Sequence, residues 1–253
     1  MFSSSDMVSY LRLNGIKIGE GCRFYRPSSM NIDVTRPMML EIGDYVKITS
    51  GVVILAHDYS RSVLRRAYGD VIGEARKTVI GNNVFIGMNA IILNGAIIGN
   101  DVIIGAGSVV SGTIPNGSVV AGNPGKIIMT LEEFYNRRKE RYIDEAKDYI
   151  RIFVNNRNRN PKPSEMLAFW PLFMDRDANE LRKQGIRTNL GGDNEEEVIR
   201  DFLKTEKVYP NLQTLIDRYD SILDDVIIAN RFDADVLGDV KEKVYTRDLF
   251  RRD

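Results

Sequence analysis

The chain has 253 residues, 35 of them Lys or Arg and 35 Asp or Glu, so its net charge is near zero. That balance argues against a nucleic-acid or polyanion binder, which is usually basic. The length allows one or two domains with a sizeable core. Cys22 is the only cysteine, which excludes an intrachain disulfide and suits a reducing compartment.

The N-terminal "MFSSSDMVSYLRLNG" has neither a charged start nor a long apolar run, so it does not read as a secretory signal. No stretch approaches the roughly 20 apolar residues of a membrane span. The expectation is a cytoplasmic protein with no integral membrane association and no nucleic-acid partner.

A six-residue period opens weakly at "IGEGCRFYRPSS", with Ile18 and Phe24 leading each step. It strengthens at "IGDYVKITSGVVILAHDY", led by Ile42, Ile48 and Ile54, and is clearest from Ile80: "IGNNVFIGMNAIILNGAIIGNDVIIGAGSVVSGTIP". There the leading residues are Ile80, Ile86, Ile92, Ile98, Ile104 and Val110. The second position is mostly glycine, Asn and Asp crowd the third and fourth, and the fifth is mostly small, Ser108 among them. A helix needs apolar residues every three to four positions, and a flat strand needs strict alternation. A six-residue step suits a triangular coil of short strands. The leading aliphatic points inward, the small residue fits beside it, and Gly, Asn or Asp takes the bend. Three steps make one coil, and stacked coils bury a continuous ladder of Ile and Val. Cys22 falls on a small-residue position and reads as core.

Ile54 and Ile80 lie 26 residues apart, which is not a multiple of six. Residues 58–78, "DYSRSVLRRAYGDVIGEARKT", must therefore leave the coil as a loop, and long loops in compact repeats are often functional. His57, the only histidine, stands where the loop departs. Imidazole is the one side chain here whose unperturbed pKa lies near neutrality, as a general base requires. Asp58 or a backbone carbonyl are the alternatives for orienting its ring. One histidine and one cysteine make a zinc site improbable and exclude the three-histidine zinc centre of a gamma-class carbonic anhydrase, so no metal is expected. There is no P-loop and no G-x-S-x-G elbow.

After "AGNPGK" the pattern becomes helical. "TLEEFYNRRKERYIDEAKDYIRIFV" opens with a Thr130–Glu133 capping box. Phe134, Tyr135, Tyr142, Ala146, Tyr149, Ile150 and Phe153 follow at helical spacing. Pro161 and Pro163 mark a turn. Short helices are expected at 164–172, 176–184, 193–205 and 211–223, with Trp170 and Phe173 anchoring a small core. The fold expected is mainly β, a parallel coil over residues 1–126, followed by an α-helical extension over 127–253.

The hexads, with "AGNPGK" as their most specific segment, resemble the hexapeptide-repeat acyltransferases. They look like the galactoside, maltose and xenobiotic O-acetyltransferase group, and more closely like the polysaccharide-modifying O-acetyltransferases. The resemblance covers residues 10–128 and implies several things. The coil is a left-handed parallel β-helix; its left hand departs from the usual crossover rule and rests on the resemblance alone. The assembly is a homotrimer whose sites lie between subunits, with the loop reaching toward a neighbour. The reaction moves acetyl from acetyl-CoA to a hydroxyl of a sugar, a surface-polysaccharide precursor, with His57 as catalytic base. On the cofactor side the resemblance points to Phe85, Met88, Gly105, Ala106, Ser111, Gly112 and Lys126; Gly112 stands where relatives carry lysine, and Gly125 where they carry alanine. On the acceptor side it points to Asn31 and Asp33, and Tyr25 or Tyr59 could stack on a sugar. An N-acetyltransferase on an amino-sugar nucleotide, or a scaffold that has lost activity, are the alternative readings.

Overall fold

The computed structural model describes residues 2–189 and 191–218. Helix α1 (Ser4–Leu13) opens the chain, with Met7 and Leu11 turned into the core. Fourteen short strands then follow: β1 (Lys17–Ile18), β2 (Arg23–Phe24), β3 (Asn31–Ile32), β4 (Leu40–Ile42), β5 (Lys47–Ile48), β6 (Val53–Ile54), β7 (Thr78–Ile80), β8 (Val84–Ile86), β9 (Ile91–Ile92), β10 (Ile97–Ile98), β11 (Val102–Ile104), β12 (Val109–Val110), β13 (Thr113–Ile114) and β14 (Ser118–Ala121). They distribute in rotation over three parallel sheets, ordered β1-β4-β7-β10-β13, β2-β5-β8-β11-β14 and β3-β6-β9-β12. Each strand thus pairs with the third one along, as a three-step coil requires.

The leading residues of the hexads form the core. Ile80, Ile86, Ile92, Ile98, Ile104 and Val110 are all buried, each contributing roughly 1.5–3 kcal/mol on removal from water. The turns explain the rest of the hexad. Asp44 Oδ1 accepts the amide of Glu20, Asn82 Oδ1 that of Asp44, Asn100 Oδ1 that of Asn82 and Asn116 Oδ1 that of Asn100, all at 2.7–2.8 Å. The third-position Asn and Asp are therefore a side-chain ladder up one corner, satisfying backbone donors that the bend leaves without strand partners. Beside them, a Cβ on Gly81 would stand 2.6 Å from the Gly99 carbonyl oxygen. The glycines at that corner are required by close approach of stacked turns.

Two departures from the six-residue step are visible in the pairing. Ile80 pairs with Ile98, 18 residues on, but Ile98 pairs with Ile114, only 16 on. Ile114 was expected at a fifth, small-residue position; it is instead an inward leading residue after a four-residue step, with Gly112 at φ 70 making the tighter bend. In the first coil, Ile32 pairs with Ile54 and so leads a step that the weak upstream periodicity does not reveal. Short 3-10 turns at Pro27–Ser29 and Pro37–Met39 absorb its extra residues.

The excursion over 58–78 was expected as a loop. It carries helix α2 (Arg61–Tyr68), whose Leu-Arg-Arg-Ala segment favours helix. Gly69, at φ 83, ends it in the left-handed conformation and donates to the Arg65 carbonyl at 3.0 Å. Pairing of Ile54 with Ile92, 38 residues on, means that 20 residues are added to one coil here. Cys22 is half-buried against the core, and its thiol donates to the Gly43 carbonyl at 3.0 Å.

The parallel stack is closed by a hairpin: β15 (Lys126–Thr130) pairs antiparallel with β14. Residues up to Lys139 form one compact unit and the described residues from Glu140 a second. Helix α3 (Leu131–Arg157) begins at the expected box, with the Glu133 amide donating to Thr130 Oγ1 at 3.1 Å and the Thr130 amide to Glu133 Oε2 at 2.7 Å. Thr130→Ala should therefore cost about 1 kcal/mol of stability, read from chemical denaturation; an unchanged midpoint would show that the cap is idle.

In the second unit Ala146 and Ile150 of α3 pack with Met166, Trp170, Phe173, Leu181 and Phe202. The 164–172 helix is 3-10 in form, at Pro163–Glu165 and Leu167–Leu172. Helices α4 (Ala178–Lys183) and α5 (Glu195–Phe202) and a helical stretch over 212–218 follow. The end of the helix expected over 211–223 lies outside the described residues. Among the described residues no helix is long and apolar enough to cross a membrane.

Candidate active site

The site grows from one corner of the coil, where chain leaving the β3-β6-β9-β12 sheet turns. His57 lies three residues past Ile54, whose burial anchors β6. The chain then departs into the excursion and returns alongside its exit. His57 and Ala75 form an isolated antiparallel bridge, and the Arg76 amide donates to the Ala56 carbonyl at 3.1 Å. Buried Thr78 clamps the corner. Its hydroxyl donates to the Leu55 carbonyl at 2.7 Å and accepts from the Gly95 amide at 3.1 Å, joining the His57 turn to the turn stacked on it.

Asp33 directly follows Ile32, and the pairing of Ile32 with Ile54 brings its carboxylate to the histidine. His57 Nδ1 makes a short hydrogen bond to Asp33 Oδ2. The same oxygen accepts from the Ala56 amide at 3.2 Å, and Oδ1 accepts from the Thr35 hydroxyl at 2.6 Å and amide at 3.0 Å. Burial by itself would raise the Asp33 pKa. The hydrogen bonds from the Thr35 hydroxyl, the His57 ring, and the Thr35 and Ala56 amides outweigh it and hold the carboxyl below its ordinary value. An ionised carboxylate only accepts, so the proton of the pair belongs to Nδ1. In the neutral ring, Nε2 then carries the free lone pair.

Asp33 was expected on the acceptor side. Its side chain is only 4 % exposed and both oxygens are occupied twice. One of those oxygens meets the His57 ring, and the other closes the turn at Thr35. Asp58, the neighbour weighed for orienting the ring, turns away: its Oδ1 accepts from the Ser60 amide and hydroxyl at 2.9 and 2.8 Å. Asp33 and Thr35 could have been found in this role from "DVT", where Asp two residues before Thr closes a side-chain turn, had the Ile32 step been recognised.

The other candidates fall into distinct places. Tyr59 is 69 % exposed, with its ring edge-on to His57 at 5.5 Å between centroids. Asn31 is exposed at the outer face of β3. Ser111 and Gly112 are exposed in the turn after β12, on the same corner as His57, with the turn after β9 stacked between them; the Leu55 amide donates to the Ile92 carbonyl and the Leu93 amide to Val110. Met88, Gly105 and Ala106 lie on the preceding corner, where the Gly107 amide donates to the Met88 carbonyl at 2.8 Å. Phe85 on β8 is 41 % exposed, in register with Lys47 and Ile103. Lys126 is exposed at the start of β15. The structure thus brings Ser111 and Gly112 to the His57 corner and leaves the other cofactor candidates on the adjoining corner and the β8 sheet. Ser108 is buried, as a structural residue would be. Among the described residues no group of three or more His, Cys, Asp or Glu gathers at a point that could hold a metal ion.

Residues 77–112 match the family described as bacterial transferase hexapeptide (six repeats). The chain is 39 % identical over 149 residues to protein CapG of Staphylococcus aureus, covering 59 % of this chain and 83 % of CapG. Over 66 residues it is 52 % identical to a 2,3,4,5-tetrahydropyridine-2,6-dicarboxylate N-acetyltransferase of Staphylococcus carnosus, covering 26 % of this chain and 28 % of that enzyme. Among solved structures, a maltose O-acetyltransferase from Clostridium difficile matches at 26 % identity with a TM-score of 0.37, covering 50 % of this chain and 75 % of that one. The extent of the CapG match, and the repeats that pair turn upon turn through the three sheets, place the chain in the hexapeptide-repeat acetyltransferase family.

Proposed function

We propose that this chain is an acetyl-CoA-dependent O-acetyltransferase acting on a sugar hydroxyl, a polysaccharide precursor, with His57 as general base. The reading rests on one observation: a corner of the repeat holds a half-buried histidine whose Nδ1 is tied to a buried carboxylate. We assign the chemistry to residues 1–126, wound as a left-handed β-helix and assembled as a cytoplasmic homotrimer, and treat 127–253 as a helical extension.

The acceptor hydroxyl gives its proton to His57 Nε2 as its oxygen attacks the thioester carbonyl carbon. Asp33 stabilises the imidazolium that forms. The tetrahedral intermediate collapses, the C–S bond breaks, and the departing coenzyme A thiolate takes the proton back from Nε2. The acetyl ester and free thiol leave, and His57 is neutral again. The donor is read against the turns at Met88, Gly105, Ala106, Ser111 and Gly112, whose backbone suits an amide arm, with Phe85 packing on it and Lys126 toward its phosphates. An amine acceptor could use the same base, and the 66-residue likeness to an N-acetyltransferase favours that as the second reading. Isothermal titration of the folded protein with acetyl-CoA should give a micromolar Kd. Absence of binding to both acetyl-CoA and free coenzyme A would end the acetyl-transfer reading.

A further inference from the structure

Beyond the base, the mouth of the His57 corner carries a feature that acetyl transfer does not need. Tyr59 presents an exposed ring beside the imidazole, and the Arg61 guanidinium carbon lies 5.3 Å from the centre of that ring. The two separations, 5.5 Å from His57 to Tyr59 and 5.3 Å from Tyr59 to Arg61, keep the guanidinium within one or two pyranose rings of the imidazole.

The local charge is unbalanced although the chain is neutral. Residues 58–78 hold five bases, Arg61, Arg65, Arg66, Arg76 and Lys77, against three acids, Asp58, Asp70 and Glu74. Two of the five are spent: Arg76 pairs with Glu74 at 2.6 Å and Lys77 with Glu41 at 2.8 Å. No carboxylate among the described residues pairs with Arg61, Arg65 or Arg66. Arg61 and Arg65 are four apart on α2 and so share a face, where like charges repel one another. A face of unpaired guanidinium groups beside an exposed aromatic ring is chemically suited to an anion attached to an apolar-faced ring.

We infer that the acceptor is an anionic saccharide, its ring resting on Tyr59 and its negative group met by Arg61 with Arg65 behind it. This rests on the acetyl-transfer reading for which hydroxyl His57 serves, but not for the binding itself. The negative group is a carboxylate, as in a hexuronic acid, or a phosphate, as in a nucleotide-linked sugar. A bidentate guanidinium contact suits both.

The test is calorimetric titration of the full chain and its Arg61→Gln variant with glucose, glucuronate and UDP-glucose at one ionic strength. The expected result is that at least one anion binds about tenfold tighter than glucose, and that Arg61→Gln brings the two within about twofold. Preference for glucuronate alone identifies a carboxylate, and for UDP-glucose alone a phosphate; either supports the inference. Equal affinity for all three probes, no binding of either anion, or a preference that survives Arg61→Gln overturns it. Absence of binding to both acetyl-CoA and free coenzyme A in a parallel titration, with the anion preference intact, would instead remove the acetyl-transfer reading and leave an anionic-saccharide site.

Discussion

His57→Ala should lower turnover by on the order of 100-fold or more while acetyl-CoA still binds. In the proposed mechanism the imidazole takes the acceptor proton. Asp58 is committed to Ser60, and the oxygens of Asp33 lie behind the ring with every acceptor site filled. Alanine also removes one of the four donors that hold the Asp33 carboxylate, and a buried acceptor that loses a partner destabilises the fold. A fall in activity could then be a fall in folded protein. His57→Asn separates the two, since its amide nitrogen can stand where Nδ1 stood and still donate to Asp33, but it has no basic nitrogen. The asparagine variant should melt close to the wild type and be as inactive as the alanine variant. Activity within a few fold of wild type in either protein would remove His57 from the chemistry.

Much of the coil was legible because its signature is dense. From Ile80 to Val110 each leading residue is an aliphatic that the coil buries. The Asn and Asp positions, visible as a bias in composition, prove to be a ladder of side-chain oxygens on stacked amides. The first coil was harder to read because two of its steps are lengthened by 3-10 turns, and Ile32 does not stand six residues from its neighbours. That one missed step is why Asp33 was not placed beside His57. Its true neighbour, His57, is 24 residues away in sequence and meets it only through the Ile32–Ile54 pairing. The excursion shows the opposite limit. Broken periodicity locates it, but periodicity says nothing of what the inserted residues do, and helix α2 follows from local propensity and the Gly69 stop.

Asp33→Asn is the sharper probe of how the base is held. Four donors converge on this side chain, from His57, Ala56 and twice from Thr35. A carboxylate accepts all four; an amide offers one oxygen and turns an NH2 toward the others. If that NH2 faces the ring, Nδ1 must become the acceptor, and the proton moves to Nε2, where it blocks the attack. We expect kcat to fall by roughly 10- to 100-fold with KM for acetyl-CoA little changed. The stability effect has a definite sign. The Asp33 pKa is held below its unfolded value, so its contribution is fully present above the unfolded carboxyl range near pH 4 and is lost as the pH falls through the folded value. The gap in melting temperature between wild type and Asp33→Asn should be largest at neutral pH and narrow below about pH 4. A gap that does not change with pH, together with unchanged kcat, would show that Asp33 neither carries the charge nor orients the base. A pH-dependent gap with unchanged kcat would mean that the carboxylate braces the corner while His57 finds its tautomer without it.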